Sequence, residues 1–235
     1  MRPVIVVSGM WAGSVAGAGL RDLIAQDYPG EVFVASKERY KHIGTVRGYK
    51  EGVKQEFAHL KDPILVGHSL GGLVSLQLAE EDFTNRYFCI CPAIPVNYFN
   101  PAPAALGAFW RPLLTRKPFI PDIPSFKKYF AQDCRDSDIE QFHKTFFEEQ
   151  PSLFDDFVLR RSSAAIQDFE SIKRKAKGEF FSALGDTICL TRFHKKMAER
   201  LEAPLHIVEG SHTPFVNDKK GILKEKILTF LKASQ

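Results

Sequence analysis

Short runs of β-branched and other apolar residues alternate with longer segments of helical periodicity along the first part of the chain. The apolar runs are residues 4–7, 31–35, 63–66 and 86–91. The segments that separate them repeat apolar residues at helical spacing with polar residues opposite, and they are residues 15–27, 45–60 and 70–81. Each intervening segment is long enough for a crossover helix, so the pattern predicts a parallel sheet flanked by helices.

The alternation of strand and helix patterns stops between residues 93 and 176, which are rich in proline and phenylalanine. Eight prolines between residues 92 and 124 predict no long regular element there, whereas residues 136–149 and 152–161 have candidate apolar helical faces. Strand and helix patterns then resume over residues 179–184, 191–201, 204–208 and 221–231. We therefore predict an α/β fold with about six mostly parallel strands, a core of residues 1–92 and 177–235, and an inserted helical cap of residues 93–176.

Length and charge narrow the classes of protein to consider. The chain has 235 residues and a net charge of +4, and its basic residues are spread out apart from a short run at residues 173–177. This distribution argues against a nucleic-acid or membrane-surface role. The apolar start at residues 4–7 is too short for a signal peptide, and no segment is long enough to span a bilayer, so we expect a cytoplasmic protein without stable membrane insertion.

The four cysteines do not have the spacing of metal ligands, and they are Cys89, Cys91, Cys134 and Cys189. We interpret them as buried free thiols of a protein in a reducing compartment, with alternation along a strand directing Cys89 and Cys91 to opposite faces. No metal site is predicted, and the oligomeric state stays open.

The sequence Gly67-His68-Ser69-Leu70-Gly71 fits the pattern of a nucleophile elbow. An apolar run leads into it and a helical segment follows, which is the strand-turn-helix setting that an exposed serine nucleophile requires. The Leu70 N–H would lie at the positive end of that helix, where it can stabilise an oxyanion. The alternative is a glycine-rich turn with a passive serine. His68 is interpreted as a packing residue or as one that supports the catalytic side chains without touching the substrate, because adjacent side chains on a sharp turn point apart.

The first apolar run continues into Ser8-Gly9-Met10-Trp11, where a second oxyanion donor is expected in this kind of site. The N–H of Met10 is the candidate donor. An ordinary loop made flexible by nearby glycines is the alternative interpretation.

Two residues near the end of the chain complete the candidate chemistry. His212 follows the last predicted strand and a turn glycine, so its imidazole can reach back over the strand ends. Asp186 lies just beyond the preceding strand, although a turn-forming Gly-Asp pair would explain it as well. The order Ser69, Asp186, His212 is the order of nucleophile, acid and base in one large class of hydrolases.

These motifs resemble those of the α/β-hydrolase superfamily, as a serine esterase or lipase-like member with a Ser-Asp-His triad. The resemblance rests on Ser-Gly-Met-Trp, Gly-His-Ser-Leu-Gly-Gly, Gly-Asp-Thr-Ile and Gly-Ser-His-Thr-Pro, in that order along the chain. It implies acyl transfer through Ser69 with no metal or organic cofactor. A serine at the elbow argues against the dehalogenases and epoxide hydrolases of this superfamily, which use a carboxylate nucleophile.

The aromatic residues suggest a substrate that is at least partly hydrophobic. Candidate pocket residues are Trp11, Phe109, Trp110, Phe130 and Phe215. A carboxylic ester of a small molecule is the expected substrate, with a thioester or lactone next. Since a fold does not determine a reaction, the same triad could serve a hydroxynitrile lyase or an acyltransferase. A small-molecule receptor or pseudo-hydrolase is the alternative from a different class.

Overall fold

In the part of the chain that the structure describes, the fold centres on one sheet of six parallel strands in the order β2-β1-β3-β4-β5-β6. A computed structural model describes residues 1–40, 42–98, 103–218 and 220–234 of the chain. The strands are β1 (Val4–Val7), β2 (Val32–Ala35), β3 (Ile64–His68), β4 (Arg86–Ile90), β5 (Lys177–Ala183) and β6 (Leu205–Val208). The predicted parallel sheet of six strands is confirmed.

Helices connect the strands and cover both faces of the sheet. They are α1 (Ser14–Ala25), α2 (Val46–Glu56), α3 (Leu70–Glu80), α4 (Pro103–Thr115), α5 (Ile123–Phe130), α6 (Asp136–His143), α7 (Pro151–Val158), α8 (Phe169–Lys175), α9 (Thr191–Leu201) and α10 (Ile222–Ala233). Among the residues described, no helix is both long and apolar enough to cross a membrane.

The alternation of side chains along each strand divides the core into two layers. Ile5 and Val7 pack with α2 and α3 on one face, whereas Val4 and Val6 pack with α1 and α10 on the other. Every one of these β1 side chains is fully buried, as expected for a parallel strand covered on both sides. The four cysteines are buried and free, and Cys89 and Cys91 lie in opposite layers as predicted.

The prediction that the proline-rich stretch holds no long regular element is wrong. Helix α4 has 13 residues, beginning at Pro103 and continuing through Pro112. Proline is tolerated at the first helical position because its missing N–H has no helical partner there. Pro112 lies near the other end, so only the last turn follows it. Pro101 and its neighbours at residues 99–102 lie outside the described residues.

The chain between β4 and β5 contributes helices α4 to α8. Helix α8 packs against α3 and α9 on one face of the sheet. The preceding part contacts the loop after β1, where Ala12 pairs with Phe146 and the Phe147 N–H donates to the Trp11 carbonyl at 3.3 Å. This segment therefore contacts the loop at the carboxyl end of β1, which contains the candidate donor Met10. A cap domain with the boundaries 93–176 stays a prediction.

Candidate active site

The topology brings two loops together at the carboxyl ends of β1 and β3. The chain leaves β1 for β2 on one side and returns to β3 on the other, which makes β1 the point where strand order reverses. Val7 pairs with Gly67 in parallel register. The Ser8–Trp11 segment therefore leaves the sheet beside the turn that contains Ser69, at the position where open α/β sheets bind ligands.

Ser69 lies on a strained turn between β3 and α3. Its backbone has φ 52° and ψ −119°, in a region that residues with a side chain rarely adopt. A Cβ atom on Gly71 would lie 2.0 Å from the Val7 carbonyl oxygen, and one on Gly67 would lie 2.4 Å from the Gly71 carbonyl oxygen. Glycine is therefore needed at both positions to let strand and helix approach.

Ser69, His212 and Asp186 form a continuous chain of hydrogen bonds. His212 Nδ1 lies 2.7 Å from Asp186 Oδ2, and His212 Nε2 lies 2.8 Å from Ser69 Oγ. Since an ionised carboxylate only accepts, Nδ1 carries the proton, and the Nε2 lone pair then accepts from the serine hydroxyl. In this tautomer the imidazole can take the serine proton. The side chains of His212 and Asp186 are buried, whereas Ser69 is half-buried.

Asp186 is held in the ionised form by its neighbours. Its second oxygen, Oδ1, accepts the N–H groups of Ile188 at 2.9 Å and Cys189 at 2.8 Å. Burial by itself would raise the pKa of Asp186, but the attraction and hydrogen bond of His212 bring this pKa below its ordinary value. The carboxylate is therefore charged at neutral pH and fixes the orientation of the imidazole.

His68 supports the backbone next to this chain of hydrogen bonds. Its Nε2 lies 2.9 Å from the carbonyl oxygen of His212, so the neutral ring donates from Nε2. Burial lowers the pKa of His68 to about 3, and the neighbouring His212 adds to that effect. The prediction that His68 is a packing residue agrees with this placement, in which the ring is buried and turned to the backbone.

The two candidate oxyanion donors come from two different loops, the one after β1 and the one after β3. Leu70 is the first residue of α3, where helix N–H groups have no partner within the helix. Met10 lies in the loop after β1 and lines the cavity beside Ser69. The next residue, Trp11, has φ 58°, and its N–H donates to Glu149 Oε1 at 3.2 Å.

The sequence did not single out Glu149 or its partner Lys37. Both side chains are fully buried, and Lys37 Nζ lies 3.1 Å from Glu149 Oε2. Burial raises the pKa of Glu149, while the Lys37 ammonium and the Trp11 N–H oppose this change. Nothing local distinguishes Glu149 from the adjacent Glu148, which is exposed. The two partners are far apart in the sequence, so only the tertiary fold reveals the pair.

A narrow apolar cavity opens beside Ser69 and His212. It has a volume of about 80 Å³. Its described lining contains no Lys, Arg, Asp or Glu, and the aromatic residues around it include Trp11, Phe109, Phe126, Phe130, Phe142 and Phe146. Such a lining favours an uncharged, apolar group.

Two of the five predicted pocket residues do not line this cavity. Trp110 follows Phe109 on α4, about 100° further around the helix axis, and is 56% exposed. Phe215 packs edge-on against the His68 ring, with centroids 4.8 Å apart, and therefore lies behind the site. The pocket predictions for Trp110 and Phe215 are wrong, because helix orientation and the path of the loop after His212 are not encoded locally.

One cluster of metal-ligand types overlaps the site. Cys91, Asp186 and His212 each place a donor atom within 4.8 Å of the others. The side chains of His212 and Asp186 are already joined by a hydrogen bond. Burial raises the pKa of Cys91 well above its ordinary value, so this residue is a thiol that holds its proton. The donor set fits proton chemistry better than a resident metal ion.

Comparison with known proteins places the chain in a family. No curated protein matches it at a significant level. Its fold is similar to an extracellular α/β-hydrolase from a Paenibacillus species, with a TM-score of 0.70, 16% identity and coverage of 97% of this chain and 98% of that chain. It is also similar to the methylesterase MES16 from Arabidopsis, with a TM-score of 0.71, 14% identity and 99% coverage of both chains.

A third similar structure is polyneuridine aldehyde esterase, with a TM-score of 0.68, 14% identity and full coverage of both chains. At these identities the likeness shows the shared fold. The model of one family, described as the alpha/beta hydrolase family, matches residues 4–222 of the sequence. With this match over most of its length, and with the elbow and hydrogen-bonded side chains described above, the chain belongs to the alpha/beta hydrolase family.

Proposed function

We propose that this protein is a serine hydrolase that cleaves small carboxylic esters through an acyl-enzyme on Ser69. The observation that carries the proposal is the hydrogen-bonded chain from Asp186 through His212 to Ser69, which ends at an apolar cavity. A nucleophile, a base and a residue that orients the base are the parts that acyl transfer needs.

In the first half of the reaction His212 acts as the base. Its Nε2 takes the Ser69 proton while Oγ attacks the ester carbonyl carbon, and a tetrahedral intermediate forms. His212 then gives the proton to the alcohol oxygen, the C–O bond breaks, and the acyl group stays on Ser69. In the second half His212 activates a water molecule, which releases the acid and restores the serine. Asp186 stays ionised throughout and stabilises the imidazolium.

The negative oxygen of each tetrahedral intermediate needs donors that are in place before the reaction. The backbone N–H groups of Met10 and Leu70 fill this role in the proposal. Leu70 adds the positive end of α3, and both residues come from loops that the sheet holds side by side. Removal of one such donor in other serine hydrolases lowers kcat by about 100- to 1000-fold.

The cavity supports a short, uncharged acyl group as the substrate class. An apolar cavity of about 150 Å³ holds a benzene molecule. The cavity beside Ser69 has a volume of about 80 Å³, so an acyl chain of a few carbons fits it best. Two of the similar folds carry the names methylesterase and polyneuridine aldehyde esterase, which agrees with an ester substrate.

The test uses para-nitrophenyl esters of increasing acyl length and follows the released phenolate. We expect turnover that is highest for the acetyl to butyryl esters and falls for octanoyl and longer chains. Ser69→Ala and His212→Ala should lower kcat by roughly 10⁴-fold or more, and Asp186→Asn by roughly 10³- to 10⁴-fold. A fluorophosphonate probe should label the wild-type protein and fail to label Ser69→Ala.

Ser75 provides a negative control, because it is a second serine near the site. It lies on α3, and its Oγ donates to the Gly71 carbonyl oxygen at 2.8 Å. Ser75→Ala should keep both turnover and probe labelling. Wild-type protein that turns over no ester, or Ser69→Ala with full activity, would exclude ester hydrolysis through Ser69. In that case the next assays would test cleavage of a cyanohydrin and tight ligand binding without turnover.

A further inference from the structure

A buried ion pair lies behind the loop that follows β1. Lys37, just after β2, and Glu149, between α6 and α7, are both fully buried, with 3.1 Å between Nζ and Oε2. Burying two charges removes them from water, and apolar residues of similar volume often stabilise a core as well or better. Packing alone therefore does not explain why two charged residues lie at this place. The other contacts of Lys37 and Glu149 indicate what the two residues do.

The second oxygen of Glu149 binds the backbone of that loop. Oε1 accepts the Trp11 N–H at 3.2 Å, which is a hydrogen bond to a charged acceptor. Trp11 has φ 58°, a conformation that is unfavourable for a bulky residue unless its surroundings hold it. Two other contacts also fix this residue: the indole Nε1 donates to the Phe119 carbonyl at 3.0 Å, and the Trp11 carbonyl accepts from the Phe147 N–H.

Lys37 holds the other end of the same loop. Its backbone N–H donates to Ser8 Oγ at 2.8 Å. The pair thus binds the loop at Ser8 and at Trp11, and the candidate donor Met10 lies between these two points. The Met10 N–H belongs to the peptide between Gly9 and Met10, which lies between the contact at Ser8 and the peptide that joins Met10 to Trp11. Because the peptide that joins Met10 to Trp11 is planar, fixing the Trp11 N–H also fixes the Met10 carbonyl. The loop cannot turn this peptide over without breaking its bond to a buried carboxylate.

We propose that Glu149, held in place by Lys37, is a positioning residue that keeps the Met10 N–H aimed at the oxyanion. The proposal rests on the ester hydrolysis proposed above and assigns to that reaction two residues that never touch the substrate. Loss of the Glu149 acceptor should therefore weaken binding of the transition state and leave binding of the ground-state ester nearly unchanged.

The most direct test removes the charges of both Lys37 and Glu149 and varies only the hydrogen-bond acceptor at position 149. Removing one partner of a buried ion pair leaves an unpaired charge, which would destabilise the fold by itself. Two double variants avoid this problem: Lys37→Met with Glu149→Gln, and Lys37→Met with Glu149→Leu. Glutamine keeps an oxygen that can accept the Trp11 N–H, whereas leucine has a similar volume and cannot accept.

We expect the glutamine variant to keep kcat within about threefold of the wild type. The leucine variant should lose at least about tenfold in kcat, with KM changed by less than about threefold. A trifluoromethyl ketone that adds to Ser69 as a tetrahedral oxyanion should lose affinity in the leucine variant by about the same factor as kcat/KM. Equal kcat and equal inhibitor affinity in the two double variants would overturn the proposal.

Glu149→Asp provides a second route if the leucine variant does not fold. Aspartate keeps the opposite charge for Lys37, but its shorter side chain withdraws the acceptor from the Trp11 N–H. We expect at least about a tenfold loss of kcat with nearly unchanged KM, and wild-type kcat would overturn the proposal.

Ser69→Ala, measured beside these variants, separates the hypothesis of ester hydrolysis through Ser69 from the hypothesis about Glu149. Retained activity there rejects the proposed function itself, whereas lost activity there with equal double variants rejects only the role of Glu149.

Discussion

The His68 ring donates from Nε2 to the carbonyl oxygen of His212, 2.9 Å away, and thereby connects the residue before Ser69 to the backbone of His212. The two rings lie 5.1 Å apart between centroids. Of these two rings, the one that hydrogen-bonds to Ser69 Oγ is that of His212, with 2.8 Å between Nε2 and Oγ. His212 thus faces Ser69, and His68 holds the loop that carries His212.

His68→Ala tests this division of roles. The change leaves the His212 carbonyl without its donor, so we expect a loss of about 1–3 kcal/mol in the free energy of unfolding and roughly a tenfold loss of kcat. Because burial lowers the pKa of His68 to about 3, the ring does not titrate near neutral pH. The pH profile of kcat should keep its wild-type shape in the variant. A neutral-pH limb that disappears would show that His68 is the titrating base.

Gly71→Ala tests the close approach of α3 and β1 at the elbow. The added Cβ would lie 2.0 Å from the Val7 carbonyl oxygen, so strand and helix must move apart. We expect at least a hundredfold loss of kcat, because a displacement of about 1 Å at a reacting group has an effect of that size. Gly19→Ala is the matched control, since α1 leaves that position exposed with no atom within 4 Å. It should keep activity and raise stability by up to about 1 kcal/mol. Equal activity of the two variants would contradict the packing argument.

Phe109→Ala tests which aromatic residues define the acyl site. Phe109 lines the cavity and its ring lies 6.0 Å from that of Trp11, so its removal lengthens the space for the acyl chain. We expect the ratio of kcat/KM for octanoyl over butyryl ester to rise by about tenfold or more. Trp110→Ala should leave the ratio unchanged and alter stability by less than about 0.5 kcal/mol, because that side chain is 56% exposed. A larger response at Trp110 would place the acyl chain outside the cavity.

His194 gives the fold a pH-dependent stability. It is fully buried, and its Nε2 lies 2.8 Å from the Pro92 carbonyl oxygen while Nδ1 lies 2.7 Å from Ser182 Oγ. Burial lowers the pKa of His194 below its ordinary value, although the charge of Asp186 opposes this change. Below about pH 6.5 the unfolded chain therefore binds a proton that the folded chain does not. The contribution of His194 to the free energy of unfolding is complete above that pH. It decreases as the pH falls toward the pKa of His194 in the folded protein.

Urea denaturation of the wild type and His194→Gln between pH 7 and pH 4.5 measures this effect. Glutamine does not titrate, so the slope of unfolding free energy against pH should decrease by up to about 1.4 kcal/mol per pH unit. Parallel curves for the wild type and His194→Gln would mean that His194 binds its proton equally in both states.

The sheet and the elbow could be predicted from local patterns. Runs of apolar residues separated by helical periods specify parallel strands with crossovers, because a strand buried on both faces has no polar alternation. A glycine-flanked serine between a strand and a helix has few other conformations available, since any side chain at Gly71 would meet Val7. The chain order of Ser69, Asp186 and His212 then follows from the order of the strands. Their roles in catalysis stay predictions until the variants are measured.

The sequence by itself thus determined the strand order along the chain, the glycine-bounded turn at Ser69 and the apolar character of the two layers, because these depend on residues close together. Only the tertiary structure decided which neighbour on α4 faces the cavity, so that Phe109 lines it and Trp110 faces solvent. It also decided the ion pair of Lys37 with Glu149 and the bond to Trp11. These contacts join residues separated by more than 100 positions, and burial gives them their energy. No local pattern records such a pairing, because it arises only when the sheet and the later helices pack together.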